Sequence, residues 1–334
     1  MSFECMNIID KNESIKIWNY KNEEKNENYE LRGCITDNED KIICPSLGHI
    51  QEYNINTLEE GNRDIKNPKE WLWTYALEGT MLRLYNYKGE WFLSTHKKIS
   101  AFHSRWSCKF SFGELFIHTL EEIFPNKENV YEYFLSQLSK DKMYYFLLRS
   151  NYQNRIICLT SSLESKDKLI FIGSRENNNL KLNTKEKETI LENLSSFEYI
   201  DNTFQNFNDI IHFVEETIDP FQYQGLLGYN PKTEHFIKIM NSKYKDLVKV
   251  RGNNHNLRFR YLEIRNDKVL VEKLYMLYPK MVSVFEDYEK TLLKISKKIY
   301  GVYVERYIHS RYITLPRDEY IILQKCYNWY LENT

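Results

Sequence analysis

The stretch Thr74-Tyr75-Ala76-Leu77-Glu78-Gly79-Thr80-Met81-Leu82-Arg83-Leu84-Tyr85 is the segment around which the chain is organised. A polar break, Asn86-Tyr87-Lys88-Gly89-Glu90, separates it from a second run, Trp91-Phe92-Leu93-Ser94-Thr95-His96-Lys97-Lys98. Both runs are rich in apolar, β-branched and aromatic residues, and the break between them contains a glycine. This pattern predicts a β-hairpin that turns at Gly89.

Length and composition indicate a folded protein without a strong overall charge. The chain has 334 residues, enough for two domains of roughly 100 to 200 residues each. Lys and Arg number 46 against 47 Asp and Glu, so the formal charge is −1 and any nucleic-acid site must be a local basic patch. The 18 Phe, 6 Trp and 26 Tyr residues are typical of a packed core rather than a disordered chain.

Cysteine spacing and hydropathy predict a cytoplasmic protein that does not enter a membrane. The six cysteines are scattered and form no Cys-x-x-Cys pair, which favours reduced thiols over a zinc ribbon or a disulfide framework. No apolar run approaches the roughly 18 residues of a spanning helix, and the N-terminus lacks the apolar core of a signal peptide.

The segment around Glu78 resembles the start of the nucleotidyltransferase domain of phage-type RNA ligases (the tRNA-repair ligase family), particularly their divergent relatives in giant DNA viruses. In that family, Lys-x-Asp/Glu-Gly enters such a hairpin, and the lysine becomes covalently adenylated. Glu78 and Gly79 match the acid and the glycine, but Ala76 stands at the position of the lysine. A methyl group cannot attack a phosphate, so the nucleophile of the family is missing.

Three further motifs resemble those of the family, and each also lacks a reactive residue. Tyr145-Phe146-Leu147 precedes Asn154-Arg155-Ile156, with Leu147 where the family has a glutamate. In Tyr223-Gln224-Gly225, the uncharged Gln224 replaces a second glutamate and is a poor metal ligand. The Lys-x-Lys motif becomes Lys238-Ile239-Met240, which keeps only its first lysine. We interpret four changes at four chemical positions as the loss of the ligase reaction from a retained fold.

The resemblance and the hydrophobic patterns together predict an α+β fold. The predicted core is a nucleotidyltransferase domain (ATP-grasp-like, as in ligases and capping enzymes) of antiparallel sheets over residues 1–243, followed by a helical C-terminal domain over residues 244–334. Strands are predicted at 143–148, 155–160 and 168–172, and a second hairpin at 221–240. Amphipathic helices are predicted at 112–124, 130–138, 208–216 and 282–300. The polar stretch 175–188 is predicted to be a loop that leads into a short helix.

The binding candidates are cations and aromatic residues near these motifs. Lys97 and Lys98 are predicted to be adjacent on a strand and to face opposite sides, so at most one can enter the cleft. Trp71 and Trp73 alternate, and could sandwich a base or a methylated cap guanine, or pack in the core. The residues expected to bind a nucleotide or RNA are Glu78, Lys97, Lys98, Arg155, Lys238, Trp73 and Arg105. No catalytic and no metal-binding residue is predicted.

Three functions remain open at this point. The first is a pseudoenzyme that binds RNA or a nucleotide, including an RNA 5′ end or cap, without ligation and with no required cofactor. The second is an active ATP-dependent RNA ligase that uses ATP and Mg²⁺, either because the natural protein has a lysine at position 76 or because another lysine, such as Lys88, serves. The third is a structural adaptor. The resemblance implies the cytoplasm of a virus-infected host cell, and no protein partner is predicted.

Overall fold

The computed structural model describes residues 3, 6–20, 31–153, 167–185, 188–201 and 203–333. The chain forms two compact units, Met1–Leu257 and Arg258–Thr334. The domain boundary expected after residue 243 stays a prediction. The strand expected at 155–160 lies outside the described residues.

The described residues of the first unit form three β-sheets. Its strands are β1 (Met6–Lys11), β2 (Ile15–Tyr20), β3 (Ile35–Asp37), β4 (Ile42–Cys44), β5 (Gln51–Tyr53), β6 (Leu72–Ala76), β7 (Thr80–Tyr87), β8 (Glu90–Ser94), β9 (Lys142–Arg149), β10 (Lys168–Glu176), β11 (Asn179–Asn183), β12 (Ser195–Ser196), β13 (Gly225–Asn230) and β14 (His235–Met240). They form sheets of order β1-β2-β3-β4, β11-β10-β9-β7-β8 with β12 beside β10, and β5-β14-β13-β6. The β5–β14 and β10–β12 pairs are parallel, and the other described pairs of strands are antiparallel.

The described helices are divided between the two units. They are α1 (Leu58–Asp64), α2 (Phe112–Ile123), α3 (Val130–Ser136), α4 (Phe207–Glu216), α5 (Ser242–Arg251), α6 (Leu257–Ile264), α7 (Lys268–Leu277), α8 (Val282–Tyr303) and α9 (Arg317–Asn333). The first unit holds α1 to α5, whereas α7 to α9 belong to the second, and α6 begins at the last residue of the first. Within the described parts of the chain, no helix is both long and apolar enough to cross a membrane. The α+β class predicted from the sequence is confirmed.

The first apolar run divides between two sheets. Its first part is β6 and its second part is β7, with Leu77 to Gly79 as the crossing between them. The predicted hairpin is formed by β7 and β8, and its two turn residues, Lys88 and Gly89, have φ values of 53° and 88°. Two-residue hairpin turns commonly require such positive values.

Alternation along β9 decides which side chains face which neighbour. Tyr144, Phe146 and Leu148 belong to the cluster formed with α2 and α3, whereas Tyr145 and Leu147 belong to a second cluster with residues of β2, β13 and β14. Successive side chains of a strand point to opposite faces of its sheet. Leu147, at a ligase motif position, is therefore directed away from the helices and toward the β13–β14 hairpin.

The predicted loop at 175–188 is wrong in its first half. Strand β10 continues to Glu176, and β11 pairs with it antiparallel, from Ser174–Asn183 to Glu176–Asn179. Leu182 is 5% exposed and packs in the second cluster. The long-range packing of this short alternating segment outweighs its polar composition.

Gly225 allows two strands to approach at the start of β13. It pairs with Ala76 of β6 on one side and with Met240 of β14 on the other. Its φ of 146° lies in a region that L side chains rarely adopt, and a Cβ atom here would lie 1.9 Å from the carbonyl oxygen of Ile239. This position therefore requires glycine.

We expect Gly225→Ala to lower the free energy of unfolding by about 3 to 5 kcal/mol, because backbone strain adds to the clash. Gly89→Ala is the matched control, since Gly89 also has a positive φ but no atom within 4 Å of the added Cβ. We expect the control to cost only about 1 to 2 kcal/mol. Urea unfolding measures both values, and equal losses would contradict the proposed clash.

Candidate functional site

Three of the four positions that differ from the ligase motifs, Ala76, Gln224 and Met240, lie together at one end of the β5-β14-β13-β6 sheet. Ala76, Gly225 and Met240 are directly opposed across β6, β13 and β14. The backbone N–H of Gln224 donates to the Ala76 carbonyl oxygen at 2.8 Å, and the Asn241 N–H donates to the Gln224 carbonyl oxygen at 2.9 Å. The sequence motifs, although about 150 residues apart, are therefore neighbours in the structure.

We use the name motif strip for one set of alternate, directly opposed positions of β6, β13 and β14, the set that includes Ala76. It consists of Thr74, Ala76, Gly225, Leu227, Lys238 and Met240. Directly opposed residues of neighbouring strands share one face of the sheet. Lys238 is therefore on the same face as the position of the missing nucleophile.

Leu147 packs against the glycine of the first motif. A Cβ atom placed on Gly79 would lie 2.6 Å from the Leu147 Cγ atom, and Leu147 pairs with Met81 across β9 and β7. Leu147, Met81 and Leu227 are half-buried members of one hydrophobic cluster. A carboxylate at position 147 would lose its hydration among these apolar groups, so the leucine fits its surroundings.

Glu78 is retained from the motif, but its carboxylate is held by another side chain. The residue is 6% exposed, and its Oε1 atom accepts a hydrogen bond of 2.5 Å from the Tyr244 hydroxyl. Tyr244 lies in the first turn of α5, where Asn241 caps the helix by accepting from the Tyr244 N–H at 3.0 Å. This bond joins two segments far apart in the sequence and leaves Glu78 with a structural contact.

Lys238 is the cation of the motif strip. Its Nζ atom lies 3.7 Å from the Glu52 Oε1 atom, and the side chain is 19% exposed. Burial lowers the pKa of Lys238, while the carboxylates of Glu52 and Glu78 act in the opposite direction. The anion that Lys238 contacts in the structure is therefore the Glu52 carboxylate.

The residues present do not fit the magnesium site that the ligase resemblance implies. Mg²⁺ is bound mainly by carboxylate oxygens, whereas Leu147 supplies none and Gln224 supplies only an amide. Glu78 is engaged by Tyr244. Among the residues that the structure describes, no group of three or more His, Cys, Asp or Glu side chains could hold a metal ion.

A small basic pocket adjoins the motif strip. Its volume is about 160 Å³, and its lining includes Tyr75 and Leu77, the residues on either side of Ala76. Two cations, Arg149 and Lys168, line it together with a single carboxylate, that of Glu198. Ser195 and Ser196 add hydroxyl groups. The volume is below the roughly 300 Å³ of typical small-molecule pockets, which suits a phosphate group better than a nucleoside.

Arg149 and Lys168 are directly opposed across β9 and β10. Like charges at such positions repel each other. The Arg149 Nε atom is buried and has no hydrogen-bond partner within the described residues, and neither cation forms an ion pair there. The nearest carboxylate in the sequence, Asp167, already accepts from the Ser150 hydroxyl at 2.7 Å and the Asn151 N–H at 2.6 Å. The pair therefore has donors to offer to an anion.

Tyr223 adds a neutral hydroxyl to this pocket. Burial raises the pKa of Tyr223, the nearby Tyr75 and Glu198 raise it further, and Arg149 opposes them. The phenol therefore stays protonated at neutral pH and can donate a hydrogen bond. Its ring is stacked on Tyr75, with 4.3 Å between the ring centroids.

Sequence reasoning missed the Arg149–Lys168 pair, although a signal was present. Arg149 follows the predicted strand 143–148, and Lys168 begins the predicted strand 168–172. An antiparallel pairing of these strands would place the two cations side by side. The exact register, which determines this contact, is not encoded in either strand alone.

Trp73 corrects one expectation of the sequence analysis. It is fully buried, its Nε1–H donates to the Pro68 carbonyl oxygen at 3.1 Å, and its ring packs edge-on against Phe204. The ring is therefore inaccessible to a base. Trp71 packs against the same hydrophobic cluster as Trp73, with 6.2 Å between the two ring centroids, and is half-buried.

Lys97 and Lys98 do not lie on the strand that the sequence analysis predicted for them. Strand β8 ends at Ser94, so Lys97 and Lys98 lie in the following loop rather than on a strand. Lys98 pairs with Asp10 at 3.2 Å, and Lys97 is exposed. Arg105 is exposed in the loop before α2. Arg155 lies outside the described residues.

Comparisons with known proteins identify viral relatives. The chain is 27% identical over 248 residues to an "Immediate-early protein ICP-46 homolog" of Invertebrate iridescent virus 6, with 72% of the chain and 54% of that protein covered. A protein of the same description from Invertebrate iridescent virus 3 is 28% identical over 247 residues, with 73% and 51% covered. The chain thus spans about half the length of these curated relatives. No family model matches the chain.

Two of the solved structures to which the chain is similar are RNA ligases. An archaeal ATP-dependent RNA ligase is 12% identical, with a TM-score of 0.43, and the match covers 86% of this chain and 74% of that one. A lysine-to-alanine mutant of Naegleria gruberi RNA ligase, with ATP and Mn, is 9% identical, with a TM-score of 0.42 and coverage of 59% and 57%. At these TM-scores, neither similarity assigns an activity or a substrate to this chain.

We expect Tyr244→Phe to lower the free energy of unfolding of the first unit by about 1 to 3 kcal/mol, because the buried Glu78 carboxylate loses a donor. Tyr152→Phe is the control, since Tyr152 is 45% exposed and its hydroxyl forms no hydrogen bond within the described residues. Urea unfolding measures the difference. Equal stability of the two variants would show that the Glu78–Tyr244 bond contributes little.

Proposed function

We propose that this chain binds RNA or a nucleotide through a phosphate group and does not become adenylated. The observation that carries the proposal is the directly opposed pair of Arg149 and Lys168 in a pocket beside Ala76. Two adjacent cations that form no ion pair among the described residues favour a group with several acceptor oxygens, and phosphate is such a group. RNA supplies phosphates along its backbone and at its 5′ end.

The groups near the motif strip support the part of the proposal that excludes adenylation. Covalent nucleotidyl transfer requires a nucleophile, metal ligands and cations around the phosphates. Ala76, Leu147 and Gln224 remove the first two requirements, while Lys238 and the Arg149–Lys168 pair retain the third. Recognition of an RNA 5′ end, with or without a cap, is the finer form of this proposal.

A ligase that uses another lysine is the second candidate function. Lys238 is favoured over Lys88 for this role, because Lys238 lies in the motif strip and Lys88 lies in the hairpin turn. Burial lowers the pKa of Lys238 and so favours its neutral, nucleophilic form, whereas the Glu52 carboxylate favours the charged form. Its Nζ atom would attack the α-phosphorus of ATP, lose a proton and release pyrophosphate.

For RNA binding, we expect Lys168→Gln to weaken the affinity for a short 5′-phosphorylated single strand at least fivefold at low salt. The slope of log affinity against log salt should fall by about 0.7, the value for one phosphate contact on a single strand. Stability should not fall, because the substitution relieves repulsion worth roughly 0.2 to 1 kcal/mol. Fluorescence anisotropy and urea unfolding measure these effects.

The control for this experiment is Lys140→Gln. Lys140 is exposed and lies just before β9, away from the cationic end of that strand. Its substitution should leave the affinity within twofold of the original. If the unsubstituted protein fails to bind RNA at low salt, the adaptor hypothesis is favoured. If Lys168→Gln binds as tightly as the control, the phosphate does not occupy this pocket.

For the chemistry, we expect incubation with ATP and Mg²⁺ to leave the intact mass unchanged, because no lysine occupies position 76. Mass spectrometry of the whole protein measures this directly. A gain of one AMP would overturn the pseudoenzyme proposal. Loss of that gain in Lys238→Arg, with its persistence in Lys88→Arg, would then assign the acceptor to Lys238.

A further inference from the structure

A second and larger cavity lies at the other end of the β13–β14 hairpin. Its volume is about 810 Å³, and its lining includes residues of the hairpin turn, from Asn230 to Phe236. The motif strip lies at the opposite end of these strands, where Gly225 pairs with Met240. Gly225 and Asn230 are five residue steps apart along the extended strand, a distance of roughly 16 Å. The cavity is therefore separate from the Arg149–Lys168 pocket.

Arg175 is a buried cation in the wall of this cavity with unused hydrogen-bonding capacity. It is 8% exposed, and it donates to the Ser46 carbonyl oxygen at 3.2 Å and to the Glu234 Oε2 atom at 3.3 Å. Its Nε atom is buried and has no partner within the described residues. A guanidinium has five N–H donors, so two long hydrogen bonds leave it poorly satisfied for a buried charge.

The carboxylates around the cavity are already engaged. Glu234 accepts from Arg175 and from the Leu182 N–H at 3.3 Å. Glu70 pairs with Lys232 at 3.2 Å, and Asp64 accepts from the Tyr53 hydroxyl at 2.9 Å. Each of these carboxylates has a donor within the protein, whereas the five-donor guanidinium of Arg175 makes only two hydrogen bonds among the described residues. This difference favours a ligand rich in acceptor oxygens.

Lys66 adds a second donor to the lining. It is exposed, and it forms no ion pair within the part of the chain that the structure describes. The lining also includes apolar and aromatic side chains, among them Trp71, Phe236 and Leu47. The volume lies within the range of roughly 300 to 1,000 Å³ that is typical of small-molecule sites.

We propose that this cavity binds a nucleoside phosphate, with the phosphate on Arg175 and Lys66 and the base against the Trp71 and Phe236 side of the wall. Guanidinium groups bind phosphate oxygens through paired N–H donors, and aromatic rings accept a base by stacking. This site is independent of the phosphate pocket beside Ala76. It assigns a role to Arg175, which the ligase motifs do not include.

The test is isothermal titration of the full chain with ATP and, separately, with tripolyphosphate. We expect saturable ATP binding that Arg175→Lys weakens at least tenfold, because lysine keeps the charge and loses the planar guanidinium, which binds phosphate oxygens through paired donors. Thr233→Trp should abolish binding by filling the cavity, since Thr233 is exposed and lines it. If Arg175→Lys fails to fold, Thr233→Trp decides the result.

Two controls separate this site from its surroundings. Lys69→Gln should bind ATP within twofold of the original, because Lys69 is exposed beside the cavity but does not line it. Lys140→Gln should also leave ATP binding unchanged, because Lys140 is exposed and lines neither pocket. ATP and RNA are titrated separately, so failure of the RNA proposal is distinguishable from failure of this one. ATP should bind at least fivefold more tightly than tripolyphosphate.

Three results would overturn the proposal. The first is absence of ATP binding at millimolar concentration. The second is binding that both Arg175→Lys and Thr233→Trp leave unchanged, which would place the nucleotide elsewhere. The third is equal affinity for ATP and tripolyphosphate, which would exclude a contribution of the base and hence a nucleoside-phosphate site.

Discussion

The structure depends on the double pairing of Gly225, because this residue joins β6 and β14 to opposite edges of β13. A side chain at this point would collide with the Ile239 carbonyl oxygen, so the backbone approach is possible only for glycine. The same approach brings Ala76, Gln224 and Met240 together. The backbone thus brings together the positions that resemble ligase motifs, whichever side chains they carry.

The replaced positions follow a consistent physical pattern. Leu147 lies in a cluster with Met81 and Leu227, where an apolar group is more stable than a charge. The remaining acid, Glu78, is buried and satisfied by Tyr244. Arg149 and Lys168 form no ion pair among the described residues, and under the proposed function this leaves both cations for an anion.

Local patterns in the sequence were sufficient for much of the fold, including the hairpin at Gly89, the second hairpin and helix α2. They were insufficient wherever a contact depends on register or burial. The pairing of Arg149 with Lys168 requires the β9–β10 register, and the burial of Trp73 requires Phe204 and Gly228 to pack against it. The β11 strand was missed because polar residues dominate its neighbourhood. Arg175, near the predicted loop at 175–188, gave no signal of its cavity.

The position of β6 also has a consequence for synthesis of the chain on the ribosome. Among the described strands of its sheet, β6 pairs only with β13, which begins 149 residues after β6 ends. At about 5 to 20 residues per second, translation leaves β6 without that partner for roughly 7 to 30 s. Strands β7, β8 and β9 can pair with one another during this interval. The nascent chain therefore carries β6 without its strand partner, and with an open edge, until β13 has been synthesised.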